Sequence, residues 1–317
     1  MKIDIKEQCQ GKWSSVLQSI GFPERALNGK HQKCPFCDSG KDRFRWDRAR
    51  EFSICNSCGS RQPVDMAMEW LSKSFKDTTL DIRKIIGTCK METLKAPDTV
   101  QNEARLKKIH AGLVRIHSDS PAAAYLAKRG ITALPETDCY MHPALDYYQD
   151  GQSIGKFPAL VSKFRTIDGD TSTFHITYLT TDGNKLDVDA AKKTLPPVRA
   201  LTGSAIRLFP ATDTLAIAEG IESALAFYQN NGFPTWAAGN ANNMANMEIP
   251  DTVKYITIVA DSDDNFVGQA AAYALAKRLK AKGDRLSVMV VLLVEQKQMI
   301  DKGISYDYND YAILNPA

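Results

Sequence analysis

Thr214-Leu215-Ala216-Ile217-Ala218-Glu219-Gly220-Ile221-Glu222 is the stretch on which the reading of this 317-residue chain turns. A short apolar strand, Thr214–Ala218, ends at an acid and a glycine. A helical pattern then runs over Ile221–Tyr228 until Asn231-Gly232 stops it. The same arrangement returns downstream. Tyr255–Ala260 is a strand ending at Asp261-Ser262-Asp263-Asp264, Phe266–Ala281 is an alanine-rich helix closed by Gly283, and Leu286–Leu293 is another strand. Thr235–Ala238 supplies a further short strand. Apolar strands alternating with helices predict a buried parallel sheet after Pro210.

In such a sheet the carboxyl ends of the strands share one edge, where ligands bind. Glu219, Asp261 and Asp263 converge there if their strands are neighbours. Carboxylates at i and i+2 plus a glutamate are the hard oxygen donors that Mg²⁺ or Mn²⁺ takes together with water and substrate phosphates. That chemistry suits phosphoryl transfer. One acid at a strand end is commonly a helix cap or a solvated charge. Three at two such ends, with Gly220 directly after the first, fit that reading poorly. Asp307-Tyr308-Asn309-Asp310 adds a third acidic cluster after the last strand, with an Asp/Asn-rich turn as its plainer reading.

Upstream, residues 155–209 alternate as strands Ala159–Thr166, Thr173–Leu179 and Lys185–Val188, separated by Asp168-Gly169 and Asp182-Gly183. Leu106, Ile109, Leu113 and Ile116 share one helical face, and a second helix runs from Ser120-Pro121 to Gly130. Periodicity fades between Lys90 and Asn102, which predicts a linker over 90–102. Before it lie helical patterns at Trp13–Ile20, Val64–Leu71 and around Leu80–Ile86. The expected organisation is a multidomain α/β chain: 1–89, a zinc-binding domain of β-ribbon with flanking helices; 103–209, mixed α+β; 210–317, a Rossmann-like parallel sheet.

Cys34-Pro35-Phe36-Cys37 and Cys55-Asn56-Ser57-Cys58 are matched CxxC pairs with 17 residues between them. Four thiolates complete a closed tetrahedral Zn²⁺ shell, a structural site with no open position for catalysis. Scattered buried thiols do not explain two equal spacings; that reading suits Cys9, Cys89 and Cys139 instead. His31 reads as a solvated or hydrogen-bonded side chain. Between the pairs, Lys41, Arg43 and Arg45 alternate with Phe44 and Trp46. Two readings stand: cations for phosphates with Trp46 as a stacking ring, or aromatics packed on the opening helix with the arginines outside.

Residues 1–50 carry 11 Lys/Arg against 6 Asp/Glu. That excess suits a polyanionic partner, though a basic soluble surface has the same composition. No apolar run approaches the roughly 18 residues of a membrane span, and Met1–Gln10 lacks a secretory core. Seven cysteines without such a signal fit a reducing cytoplasm.

Taken together, Glu219-Gly220, Asp261-x-Asp263 and Asp307-x-Asn309-Asp310 resemble the Toprim fold of DnaG-type primases, phage primase–helicases, topoisomerases and some nucleases. The run Gly11-Lys-Trp13, Leu27-Asn-Gly-Lys-His31, Cys34-Pro-x-Cys37, Lys41-Asp-Arg-Phe-Arg45 and Cys55-Asn-x-Cys58-Gly59 resembles the zinc-binding domain of P4-type phage primases. The resemblance implies Glu219 as acid/base carboxylate, Asp261 and Asp263 as Mg²⁺ ligands, and Asp307 and Asp310 as supporting ligands. It implies that the ribbon, with Lys41, Arg43, Arg45 and Trp46, meets template, and that the basic middle holds nucleoside triphosphates and template through Lys163, Arg165, Lys192, Lys193, Arg199 and Arg207. The sequence departs from many such proteins in having Ser223 where a second carboxylate would follow the motif glutamate; Glu222 lies one residue early.

The expected function is a DNA primase that makes short primers on single-stranded DNA, for a phage, plasmid or other mobile element in a bacterial cytoplasm. No Gly-x-x-x-x-Gly-Lys-Ser/Thr loop occurs in the sequence, so a helicase is expected as a separate partner. The alternatives are a Toprim-type nuclease or repair protein and a non-catalytic zinc-ribbon adaptor. A topoisomerase is disfavoured because the chain is short for a strand-passage gate.

Overall fold

The computed structural model describes residues 4–38, 41–55, 58–92, 99–149, 152–262, 266–281, 283, 286–292 and 307–314. The chain divides at residue 98 into two compact units.

In the first unit, α1 (Ile5–Gln8) and α2 (Trp13–Ser19) precede an antiparallel ribbon of β1 (Phe44–Asp47), β2 (Phe52–Cys55) and β3 (Gly59–Arg61), followed by α3 (Pro63–Leu71) and α4 (Phe75–Ile85). Pro63 occupies the first turn of α3, where its missing N–H is no loss, and Ser74 Oγ accepts the Asp77 N–H to cap α4. Trp13, Val16 and Leu17 form one core with Phe44, Trp46, Met66 and Ile82. Trp46 is buried and its Nε1 donates to Ser14 Oγ at 3.2 Å. The period-2 alternation therefore turns both aromatics inward, and the stacking role read for Trp46 is corrected: the ring is core. The linker read over 90–102 is shorter at both ends. Lys90 N–H donates to Ser15 Oγ (3.0 Å), Glu92 N–H to Gly11 O (2.6 Å), and a helix begins at Thr99. A polar stretch without periodicity is still anchored wherever its backbone donors find partners.

The second unit opens with α5 (Thr99–Ala111) and α6 (Pro121–Ala127). Then come β4 (Cys139–Gln149), β5 (Gln152–Arg165), β6 (Thr171–Tyr178), β7 (Lys192–Thr194) and β8 (Ala205–Arg207). The rest alternates: β9 (Thr214–Ala218), α7 (Ile221–Asn231), β10 (Thr235–Ala237), α8 (Ala241–Asn246), β11 (Tyr255–Ala260), α9 (Val267–Lys280), β12 (Ser287–Leu292) and α10 (Tyr308–Leu314). Two expectations fail locally. The helix through Leu106 stops at Ala111, so Leu113 and Ile116 lie beyond it, and Val114 instead bridges Met141. Lys185–Val188 forms no strand beyond one bridge at Leu179; β6 pairs with β5 on one side and β7 on the other.

Among the described residues, one sheet of order β12-β11-β9-β10-β8-β5-β6-β7, with β4 also on β5, joins both halves of this unit. Strands β12, β11, β9 and β10 are mutually parallel; β8 joins β10 and β5 antiparallel. Side-chain alternation buries both faces of β9 and β11. Ala216, Ala218 and Val259 share a core with α7 and Tyr308, whereas Leu215, Ile217, Ile256 and Ile258 pack with Leu275 and Leu279 of α9. Burial on both faces is why these strands read as unbroken apolar runs.

Gly239, just after β10, has φ +81°, and its N–H donates to the carbonyl of Glu219 at 2.7 Å. A Cβ there would overlap the Phe164 ring. Gly239→Ala should lower stability by about 3 kcal/mol through left-handed strain and overpacking. A urea titration that leaves its midpoint unchanged would refute this.

Candidate active site and metal centre

The carboxylate edge follows from strand register. Ala218 of β9 stands opposite Val259 of β11, so Glu219 faces the level of Ala260, one residue short of Asp261. Adjacent strands lie about 4.8 Å apart, so the two half-buried acids leave neighbouring strand ends at nearly the same height. Asp263, the third expected member, lies outside the described residues. Gly220 has φ −91°, and an added Cβ would make only ordinary contacts, 3.6 Å to Ser223 Oγ and 3.9 Å to Glu222 Oε2. Neither strain nor crowding demands glycine there.

Asp307 and Asp310 cap α10 reciprocally: Asp310 N–H donates to Asp307 Oδ1 (2.9 Å) and Asp307 N–H to Asp310 Oδ2 (3.3 Å). The plainer capping reading thus holds for both. Their helix nevertheless lies on α7, where Tyr308 packs edge-on to Phe227 at 5.1 Å. Asp307 also senses the charge of Glu222, and burial raises its pKa.

Glu222 is buried and ion-paired, more than its place one residue before Ser223 implies. Its side chain is 8% exposed and accepts from Tyr125 Oη at 2.5 Å and Lys192 Nζ at 2.8 Å. Burial acts to raise its pKa, but the charge and hydrogen bond of Lys192 and the Tyr125 hydroxyl outweigh it and hold the carboxyl well below the usual range. No linear motif signals this site, because its partners stand 97 and 30 residues away. His175, bonded through Nδ1 to Thr194 Oγ1, lies in the same field; burial and then Lys192 push its pKa down to about 4.

The remaining basic candidates are held by the fold. Arg165 Nε pairs with buried Asp138 (2.5 Å), Arg199 with Glu103 (2.9 Å), and Lys193 donates to Tyr148 O (2.6 Å). Arg207 donates to Thr166 O and stands 4.8 Å from the Trp236 ring centroid. Buried Lys163 lies 4.1 Å over the Tyr140 ring, which Arg115 also approaches at 5.8 Å. Burial, then Arg165, depresses the Lys163 pKa. The structure gathers Lys163, Arg165 and Arg207 with Arg115 around Asp138, while Lys192 stands apart at Glu222.

In the ribbon, Cys34 Sγ–Cys58 Sγ is 3.6 Å, Cys37 Sγ–Cys55 Sγ 3.9 Å, and all four ligand atoms lie within 4.8 Å of one another. A tetrahedron with Zn–S bonds of about 2.3 Å has edges near 3.8 Å, so the quartet fits zinc. It is the one such group among the described residues. Arg61 donates from Nη1 to Cys58 Sγ (3.1 Å), stands 4.5 Å from the Phe36 ring centroid and pairs with Glu69 (2.6 Å). That N–H stabilises thiolate charge, as outer ligands of metal sites do. His31 bonds the Asp42 carbonyl through Nδ1 at 2.9 Å and stays out of the cluster. Arg43 is exposed and Arg45 half-buried, on the opposite side from the aromatics.

Two expectations follow. Cys34→Ser with Cys37→Ser should abolish zinc content and unfold the first unit, and Arg61→Met should speed zinc transfer to a chelator by about tenfold; a chelation rate equal to wild type removes the role of Arg61. For His175, the unfolded ring has a pKa near 6.5 and the folded ring near 4. The unfolded state therefore binds the extra proton, and stability should fall as pH drops through that window and stay flat above it. His110 and His142 are shifted in the same direction, so the check is that His175→Gln reduces the fall in urea midpoint between pH 7 and pH 5.

Residues 100–208 match a family described as a domain of unknown function (DUF7146), and residues 214–315 match the Toprim domain. No curated protein matches the chain. Similar solved structures include the Aquifex aeolicus primase with its zinc-binding and RNA polymerase domains, 15% identical over 99% of this chain and 83% of that one, TM-score 0.41. The primase fragment of the bacteriophage T7 primase-helicase is 14% identical over 90% and 94%, TM-score 0.37. A DNA primase domain from Pseudomonas aeruginosa is 15% identical over 69% and 75%, TM-score 0.42. These are distant likenesses of shape, and the assignment rests on the family match together with the strand register. The C-terminal part of the chain, residues 214–315, is a Toprim domain.

Proposed function

We propose that the protein is a DNA primase, joining nucleoside triphosphates into short primers on single-stranded DNA by metal-dependent nucleotidyl transfer. The observation that carries this reading is the parallel register that brings Glu219 and Asp261 to adjoining strand ends within a Toprim domain, on a chain that also bears a four-cysteine ribbon. The donor set is carboxylate oxygen, which fits Mg²⁺ or Mn²⁺. Asp261 and Asp263 would hold the cation, and Asp307 and Asp310, which also cap α10, would be its supporting ligands. The bound cation supplies neutralisation of the triphosphate charge.

Glu219 accepts the proton of the primer 3′-hydroxyl as that oxygen attacks the α-phosphorus and pyrophosphate leaves. The ribbon engages template through the exposed Arg43 and its neighbours Lys41 and Arg45, and the cations around Asp138 meet nucleic-acid phosphate. A replicative helicase is the partner that would supply unwinding where the template needs it. A phage, plasmid or other mobile element in a bacterial cytoplasm is the setting that this reading favours. The same carboxylates would serve a nuclease, which is the second reading.

Incubation with single-stranded DNA, labelled nucleotides and Mg²⁺ should give template-dependent oligomers, lost by about a thousandfold in Glu219→Gln and in Asp261→Asn. Shortened DNA without new oligomers would select the nuclease. Retained DNA binding with neither activity would leave a zinc-ribbon adaptor.

A further inference from the structure

Helix α9 carries two aromatic rings that serve neither the hydrophobic core nor the carboxylates. Its N-cap, Phe266, has φ +59° and ψ +17°, and the ring is 69% exposed. Tyr273, two turns further along, is 52% exposed. We infer that Phe266 and Tyr273 are stacking residues for an unpaired nucleic-acid strand running from the Asp261 end of β11 along α9, with Lys277 meeting its phosphates. The inference rests on the reading of that edge as a nucleic-acid site and not on whether strands are built or cut there.

The backbone at Phe266 is the first observation. A side chain in the left-handed region crowds its own main chain, and a bulky one there is an outlier. Such strain gathers at ligand sites and is elsewhere relieved by glycine. Burial does not offset it at Phe266, because most of the ring faces water. A lone exposed ring needs no explanation, but an exposed ring held in strained backbone does. Its place supplies one. Phe266 follows Asp261 by five residues, where the chain passes from the carboxyl end of β11 into α9, so the ring stands on the carboxylate side of the sheet.

The outer face of α9 is the second. Gly268, Ala271, Ala272, Leu275 and Leu279 form its buried side. Tyr273, Lys277 and Lys280 lie opposite, at i, i+4 and i+7, with exposed Ala270 and Ala274 beside them. Charge selects the occupant: α9 carries three cations and no acid, which suits a polyanion. Two of the three are engaged by the fold. Arg278 donates to the carbonyls of Ala245 and Met247, and Lys280 to that of Leu286 at 3.2 Å. Lys277 is left to meet a phosphate. The two rings stand about 10 Å apart along the helix, roughly three times the 3.4 Å rise of stacked bases, so each can take a different base. Exposed rings beside a cation make a sequence-tolerant single-strand track. A protein partner would call for a contiguous apolar patch, and here alanines and lysines interrupt the rings.

The test reads binding on the full chain, by anisotropy of a fluorescein-labelled oligothymidylate at several salt concentrations. Phe266→Gly and Tyr273→Ala should each weaken binding about tenfold, and Tyr273→Phe, which keeps the ring, should bind as wild type. Both losses should be the same at every salt concentration, because salt dependence comes from phosphate contacts. Lys277→Met should instead lower the slope of log affinity against log salt by about 0.7, the share of one phosphate on a single strand. Phe266→Gly also removes the left-handed strain, so its urea midpoint should not fall. A strand carrying 5-iodouracil should photo-cross-link to Phe266 or Tyr273. Unchanged affinity in both ring variants, a lowered midpoint in Phe266→Gly, or cross-links confined to residues 1–98 overturns the proposal. So does a wild-type dimer that the ring variants dissociate while keeping DNA affinity, which would make this face an interface between copies. Wild-type protein that binds in the expected pattern yet neither makes primers nor cuts DNA defeats the functional reading and leaves the track standing; priming with ring variants that bind normally does the reverse.

Discussion

The parallel pairing of β9 with β11 is the constraint on which the site depends. Residues 41 apart in sequence become neighbours because Thr214–Ala218 and Tyr255–Ala260 are apolar on both faces and bury best side by side, each face under its own helices. Once that register is set, no further choice is needed to bring Glu219 to within one residue of the level of Asp261. The acids sit at strand ends because only there does a charged residue escape the double burial that the strand interior imposes.

Much of this was legible in the sequence because it is local. The strand Tyr255–Ala260, the helix stop at Gly232 and the paired CxxC spacings each follow from a few adjacent residues, and each appears where it was expected. The alternation Phe44-Arg45-Trp46 showed that two faces exist but not which one was wet. Burial of Trp46 against Ser14 decides that, and it depends on a helix thirty residues earlier.

What escaped the sequence is what long separation creates. Strand β4 and the short helix α8 carry weak local signals and are stabilised by partners. Glu222 looked like a misplaced copy of a motif residue because spacing along a helix says where a side chain starts and not what waits for it. Lys192, one of six scattered basic candidates, is set apart from the others only by an ion pair across 30 residues. The other five are likewise told apart by contacts, such as Arg165 with Asp138 and Arg199 with Glu103.

The shared sheet bears on how such a protein can be assembled in evolution. Residues 100–208 and 214–315 match separate families, yet β8 from the first is stitched between β10 of the second and β5. Phe164 of β5, moreover, fills the space that Gly239 leaves beside the Glu219 carbonyl. A break between 208 and 214 would cut no strand, but it would orphan a ladder on each side and remove the Phe164 ring from the space beside Gly239. The two matched regions therefore share one folded sheet, and a larger side chain at position 239 would need a smaller one at position 164.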